Sequence, residues 1–216
     1  MQEFVQVTGM ILKQSPAGEY DRRVSLLTRE RGKISAFARG ARKPGSRLAA
    51  ATNLFAFGDF RLYAGKNSYT VTEAEISNYF ESLMTDYVGA YYGMYFTEVA
   101  DYYARENNDE RELLKLLYQS LRALGADSLP NPLVKCIFEL KAIAVNGEFP
   151  GVPGDRELLD STVYALRYIA ESPVEKLYTF TVTPEVLSQL QQVASDYGKR
   201  FLNHNFKSLE ILKTLC

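Results

Sequence analysis

The first seventy-six residues read as strands, with hydrophobic and polar positions alternating in part over 22–29 and cleanly over 33–39. Phe4 to Gln14 (FVQVTGMILKQ) is rich in apolar and β-branched residues and ends at the turn signal Ser15-Pro16-Ala17-Gly18. In Arg22 to Arg29 the alternation sets Arg22, Val24, Leu26 and Thr28 on one face and Arg23, Ser25, Leu27 and Arg29 on the other. Glu30-Arg31-Gly32 reads as a tight hairpin link, with glycine supplying the positive φ. Lys33 to Arg39 alternates cleanly: Ile34, Ala36 and Ala38 share one face; Lys33, Ser35, Phe37 and Arg39 share the other. Residues 40–53 read as a long basic loop, and Leu54 to Tyr63 and Ser68 to Ile76 as two further strands joined by Ala64-Gly65-Lys66-Asn67. Five short strands with a long connection between the third and fourth predict a small closed barrel of the OB type, with an SH3-like barrel as the competing architecture. Closure removes the exposed edges that an open sheet would leave.

From Tyr79 the period becomes helical. Val88, Tyr91, Tyr95, Val99 and Tyr102 form one stripe, and Leu113, Leu117, Leu121 and Leu124 a second that ends at Gly125. Asn131-Pro132 and Thr183-Pro184 both read as a cap followed by proline at the first helical position. The first of these opens a helix carrying Leu133, Ile137, Leu140 and Ala144. Leu159, Thr162, Leu166 and Ile169 mark another helix within 155–172, and Leu190, Val193, Tyr197 and Phe201 another after Thr183. Lys207 to Leu215 is a short amphipathic tail. The predicted class is α+β: a five-stranded OB-type barrel over residues 1–78, then an all-helical domain over 79–216.

Composition adds a globular chain, 46% hydrophobic and 24% charged. The apolar run Leu133 to Val145 carries charges and is too short to cross a bilayer, and the N-terminus lacks the pattern of a signal peptide. The expectation is no membrane association and a cytoplasmic location. Cys136 and Cys216 are the two cysteines, and His204 is the single histidine. No spacing among them fits a metal site, which leaves reduced thiols and no cofactor.

Charge changes the picture more. Although the whole chain carries −1, residues 1–70 carry a net +7 and residues 71–216 a net −8. Arg22 to Arg47 holds nine Lys or Arg against Glu30 alone. So confined a basic segment on a nearly neutral chain points to a polyanion. Its candidate contacts are Arg22, Arg23, Arg31, Lys33, Arg39, Arg42, Lys43 and Arg47, with Phe37 as a ring on which a base could stack. Enzyme chemistry is poorly supported. There is no GxxxxGK[ST] loop and no GxGxxG after a strand. His204 sits between two asparagines, and the acidic pairs Asp109-Glu110 and Asp155-Glu157 stand at predicted helix starts, where acids complement the helix dipole. A nuclease or hydrolase using Asp109 or Asp155 ranks last because nothing in the sequence places those acids together.

Particular motifs resemble the RecO family of bacterial DNA repair and recombination mediators. They are Gly9-Met10-Ile11-Leu12, Gly18-Glu19-Tyr20-Asp21, Val24, Leu27-Thr28, Gly32, and above all Ala38-Arg39-Gly40-Ala41-Arg42-Lys43 followed by Ser46 and Leu48. Weaker matches continue through Leu113 to Leu124, Phe138-Glu139-Leu140, Gly147-Glu148-Phe149-Pro150 and Lys207-Ser208-Leu209. The resemblance implies an OB-fold domain before a helical one and binding of single- and double-stranded DNA. It also implies annealing of complementary strands, and action on strands coated by single-stranded DNA-binding protein. It implies RecR as a partner, RecA indirectly, and association with the nucleoid during repair. Arg39, Arg42 and Lys43 lie in the matched motif, whereas the other candidates rest on charge alone. Glu19 and Asp21 fall to turn geometry or a partner contact. Many such proteins carry a four-cysteine zinc site soon after the Gly-x-x-Pro piece. Gly151 onward has none of those cysteines, so no zinc is expected. A protein-interaction adapter, with the barrel as scaffold and little intrinsic DNA affinity, is the alternative from a different class.

Overall fold

The alternating third of the chain forms five strands: β1 (Glu3–Ala17), β2 (Asp21–Thr28), β3 (Gly32–Ala38), β4 (Phe57–Ala64) and β5 (Tyr69–Asn78). The structure is a computed structural model and describes residues 3–66, 68–126 and 128–215. The strands close into a barrel in the order β1-β2-β3-β5-β4. All neighbours are antiparallel except β3 and β5, which run parallel through Ala36↔Tyr69 and Phe37↔Thr70. Closure comes from β4 returning to β1, with Ala64 opposite Glu3 and Phe57 opposite Met10. This is the OB-type arrangement the strand count predicts.

The inward positions are those the alternation predicts. Val24, Leu26, Ile34, Ala36 and Ala38 join Val7, Ile11, Phe60, Leu62 and Val71 in one buried cluster. Leu27 alternates outward with Arg23 and Ser25 yet is fully buried, as is Met10, its partner across the ladder. Alternation reports the face of a strand; it does not report whether that face is covered.

Three local expectations change. Ser15-Pro16-Ala17 is strand, with Pro16 opposite Arg22, and the turn follows at Gly18 to Tyr20. Proline is tolerated there because β4 pairs only with Glu3 to Met10, so this end of β1 is an edge with a single neighbour. Residues 54–56 turn before β4: Phe55 has φ 70°, and the Ala56 N–H donates to the Asn53 carbonyl at 3.2 Å. Within the expected loop lies a short helix, α1 (Leu48–Ala51), whose Leu48 packs against the barrel interior.

The helices that follow are α2 (Glu81–Thr85), α3 (Tyr87–Tyr103), α4 (Arg111–Leu124), α5 (Asn131–Val145), α6 (Asp160–Glu171), α7 (Pro184–Phe201) and α8 (Lys207–Leu215). Thr183 caps α7, its hydroxyl accepting from the Val186 N–H at 3.4 Å. Asn131 does not cap α5. Pro130 holds that place in an extended conformation, its carbonyl accepting from Leu133 and Val134, and Asn131 is already helical.

By packing, the chain divides into two compact units, Met1–Glu81 with Ala100–Leu114, and Ser82–Val99 with Lys115–Cys216. In the second unit α5 is central, buried from Leu133 to Ile143 except at Lys135. Phe138 stacks on Phe96 at 4.2 Å between centroids. Its buried charges are paired: Glu139 accepts from the Tyr95 hydroxyl at 2.5 Å and from Lys135 at 2.9 Å. Lys141 donates to the carbonyls of Ala170 (2.9 Å) and Ser172 (2.7 Å), completing the C-terminus of α6. Among the described residues no helix is long and apolar enough to cross a membrane.

Candidate nucleic-acid interface

At one end of the barrel the β1–β2 turn meets the segment leaving β3. Both use glycine at positive φ, Gly18 at 64° and Gly40 at 67°. The Gly40 N–H donates to Asp21 Oδ1 at 2.7 Å, and the Arg42 N–H donates to the Tyr20 carbonyl at 2.9 Å. The Arg42 guanidinium reaches the Gly18 carbonyl at 3.2 Å, and Lys43 Nζ lies 5.4 Å over the Tyr20 ring. Two pieces of sequence some twenty residues apart thus form one edge. A cleft of about 460 Å³ opens there, lined by Gly18, Glu19, Tyr20, Arg39, Gly40 and Lys43 among others. Asp21 serves turn geometry, one of the two roles open to it from the sequence.

Arg22 faces differently from the other cations. Its half-buried guanidinium donates to the Ala49 carbonyl (3.0 Å), Thr52 Oγ1 (2.9 Å) and Asn53 Oδ1 (3.0 Å). It holds the segment after α1 against β2. Burial, and secondarily the charge of Arg42, pull it below the ordinary arginine range. Arg39 and Arg47 are exposed and make no hydrogen bond or ion pair among the described residues. Arg23 is exposed and donates to Ser35 Oγ at 3.0 Å. It stands opposite half-exposed Phe37, so the ring and the cation are cross-strand neighbours on the outer surface.

Arg31 and Lys33 lie at the far end of the β2–β3 hairpin, beside residues 100–114 of the same unit. Lys33 Nζ is 3.2 Å from Asp101 Oδ1 and also donates to the Asp101 carbonyl. Ser25 donates to the same carboxylate at 3.2 Å. The Lys33 N–H donates to the Arg105 carbonyl at 3.0 Å, and the Asn107 N–H to the Arg31 carbonyl at 2.9 Å. Arg31 approaches Glu3 at 3.9 Å. The nine sequence candidates therefore separate. Arg23, Phe37, Arg39, Arg42, Lys43 and Arg47 lie on the outer surface toward the Tyr20 edge, Arg22 points inward, and Arg31 and Lys33 join the connector.

Charge on the barrel is two-sided. The outer surface of β1, β4 and β5 carries Asp59, Glu73 and Glu75 around a shallow cleft, with Arg61 3.4 Å from Glu73 and 5.0 Å over the Phe4 ring. The sign of charge there is opposite to that of the Arg39–Arg47 edge.

The acids that suggested hydrolysis are committed elsewhere. Asp109 accepts from Arg111 through two oxygens, each at 2.8 Å, which lowers its carboxyl below the usual range. Asp155 pairs with Arg156 at 3.3 Å with the same effect. His204 packs edge-on against Phe206 at 5.0 Å. The donor set does not fit a four-cysteine zinc site: Cys136 is buried inside α5, its thiol pushed up to about 12 by burial and by Glu139, and Cys216 lies outside the described residues. Among the described residues no three His, Cys, Asp or Glu side chains are grouped to hold a metal ion.

Sequence reasoning missed Tyr20 as part of this edge. The signal was available, since an aromatic in a turn between two strands has no strand face to bury it. Both parts of the chain resemble known proteins. Residues 1–80 match the family model described as Recombination protein O N terminal, and residues 84–152 and 149–210 match Recombination protein O C terminal. The DNA repair protein RecO of Acetivibrio thermocellus is 28% identical over 98% of this chain and 97% of its own length. That of Clostridium perfringens strain 13 is 27% identical over 97% of each. That of Symbiobacterium thermophilum is 37% identical over 68% of this chain and 58% of its own length.

Proposed function

The chain belongs to the RecO family, and on that premise we propose that it is a DNA repair and recombination mediator that works by binding rather than catalysis. It holds single- and double-stranded DNA on the Arg39–Arg47 edge, anneals complementary strands, and helps load recombinase onto strands coated by single-stranded DNA-binding protein. Arg39, Arg42, Lys43 and Arg47 track phosphates, with Arg23 and Phe37 extending the track. Arg22 supports that surface from behind, and Arg31 and Lys33 hold the opposite end of the hairpin. RecR and single-stranded DNA-binding protein are its protein partners and RecA an indirect one. Its place of action is the cytoplasm, at the nucleoid during repair. Labour divides along the chain, residues 1–78 holding nucleic acid and the acidic residues 79–216 choosing protein partners.

The observation that carries this reading is the joining of Gly18–Asp21 to Arg39–Lys43 in one exposed cationic edge. Arg39→Ala with Arg42→Ala, measured for oligonucleotide affinity across a salt series, tests it. Two lost phosphate contacts reduce the slope of log K against log salt by about 1.4–1.8. An unchanged affinity and slope would remove these residues from the interface. The inward commitment of Arg22 and Lys33 favours one competitor, an adapter whose barrel is only a scaffold. Strand annealing with and without single-stranded DNA-binding protein separates the two, because the adapter anneals in neither case.

A further inference from the structure

Tyr20 is 44% exposed at the tip of the β1–β2 turn. Around it the cleft is built for close approach. A side chain at Gly18 would meet nothing within 4 Å, and one at Gly40 only the flexible Lys43. The backbone on both sides of the ring is therefore open to a ligand. Arg39 and Lys43 supply cations at the rim, while Glu19 supplies a carboxylate beside the ring. That mixture discriminates. A carboxylate repels a phosphate but accepts from an N–H on the edge of a base, so the phosphate belongs at the rim and the base at the ring.

We infer that the Tyr20 cleft is a stacking subsite for one unpaired nucleobase, with Arg39 and Lys43 on the flanking phosphates. The inference rests on the nucleic-acid reading above and sharpens it. A duplex keeps its bases stacked and paired and cannot offer one to Tyr20, so the subsite acts on single strands alone. Lys43 covers the ring in the free protein and exchanges it for a phosphate when a base arrives. Stacking on aromatic rings tolerates any base, as annealing of arbitrary sequences requires.

The chain contains no tryptophan, so Tyr20→Trp creates a sole fluorescent reporter at the site. The variant is titrated with an oligothymidylate, a blunt duplex and heparin, a polyanion without bases. Binding is followed independently through labelled ligands. Quenching of the tryptophan by oligothymidylate, with none by bound duplex or bound heparin, is the expected result. Oligothymidylate that binds without quenching, or quenching shared by heparin, overturns the subsite while leaving the nucleic-acid reading intact. If none of the DNA ligands binds the unmodified protein, that reading fails as well. Tyr20→Leu supplies a second measurement: single-strand affinity falls about 5- to 150-fold with an unchanged salt slope, and duplex affinity stays constant. Equal losses for both ligands, or no loss for either, count against the subsite.

Discussion

Arg22 and Arg39 are indistinguishable in a charge count, yet they do different work. Arg39 faces solvent, whereas Arg22 spends its guanidinium on three protein acceptors around Thr52. The distinction gives a prediction with two readouts. Arg22→Ala leaves those acceptors without their donor and costs about 2 kcal/mol of stability, measured by denaturant unfolding. It also weakens oligonucleotide binding at every salt concentration without changing the salt slope, because no phosphate contact is lost. A slope reduced by about 0.9 would instead make Arg22 a contact residue. Arg22→Lys restores part of the stability. Charge density picked out the segment because nine cations stand there against one acid. It did not sort the cations, since that depends on acceptors thirty residues away in the chain. Lys33 makes the same point: nothing near it in sequence announces Asp101.

Elements were more legible than side-chain partners. Each of the five strands overlaps its expected span, because inward and outward positions were patterned strongly enough to fix register. The errors fall where a second principle overrides the pattern. Pro16 reads as a breaker but sits where β1 has a single neighbour. Residues 48–51 read as loop because four residues are too few to show a helical period. The β2–β3 turn was recognised from Gly32, but the reason for that glycine is only half local. Its φ is 62°, and a side chain there would also run into the Arg105 carbonyl oxygen. Gly32→Ala therefore combines left-handed strain with a backbone clash and costs about 2–4 kcal/mol. Thermal or denaturant unfolding measures this. A loss within 0.5 kcal/mol would mean that residues 104–108 can shift freely away from the turn. Gly18→Ala, equally left-handed but unobstructed, loses only about 1 kcal/mol and separates strain from collision.

At the scale of the molecule the sequence announces a basic region and an acidic one, and by packing the chain divides into two compact units whose bounds differ from that split. It does not announce how the chain is shared between them. Residues 100–114 follow a stretch that packs in the helical unit, yet they contribute Asp101 and the Arg105 and Asn107 backbone to the barrel unit. A helical period says nothing about which body a helix serves, and α3 passes from one to the other within a continuous stripe. The barrel's outer surface is similarly beyond any pattern: the cations of residues 39–47 precede Asp59, Glu73 and Glu75 in the chain, and which surface each set occupies follows from closure.

That sharing of the chain sets an order of events during synthesis. The strands have all been made when Asn78 is added, but the residues that fasten the β2–β3 hairpin come about thirty residues later, roughly 1.5–6 s at ordinary elongation rates. Ribosome-stalled chains offer the measurement. Chains with residue 81 just clear of the exit tunnel are expected to be cleaved by protease at Arg31 and Lys33, and chains with residue 114 clear to be protected there. Protection already at the shorter length would show that the strands hold the hairpin alone. The strands of the barrel come before the residues that fasten them, so a growing chain presents its cationic segment to the crowded polyanions around the ribosome before the β2–β3 hairpin is held in place.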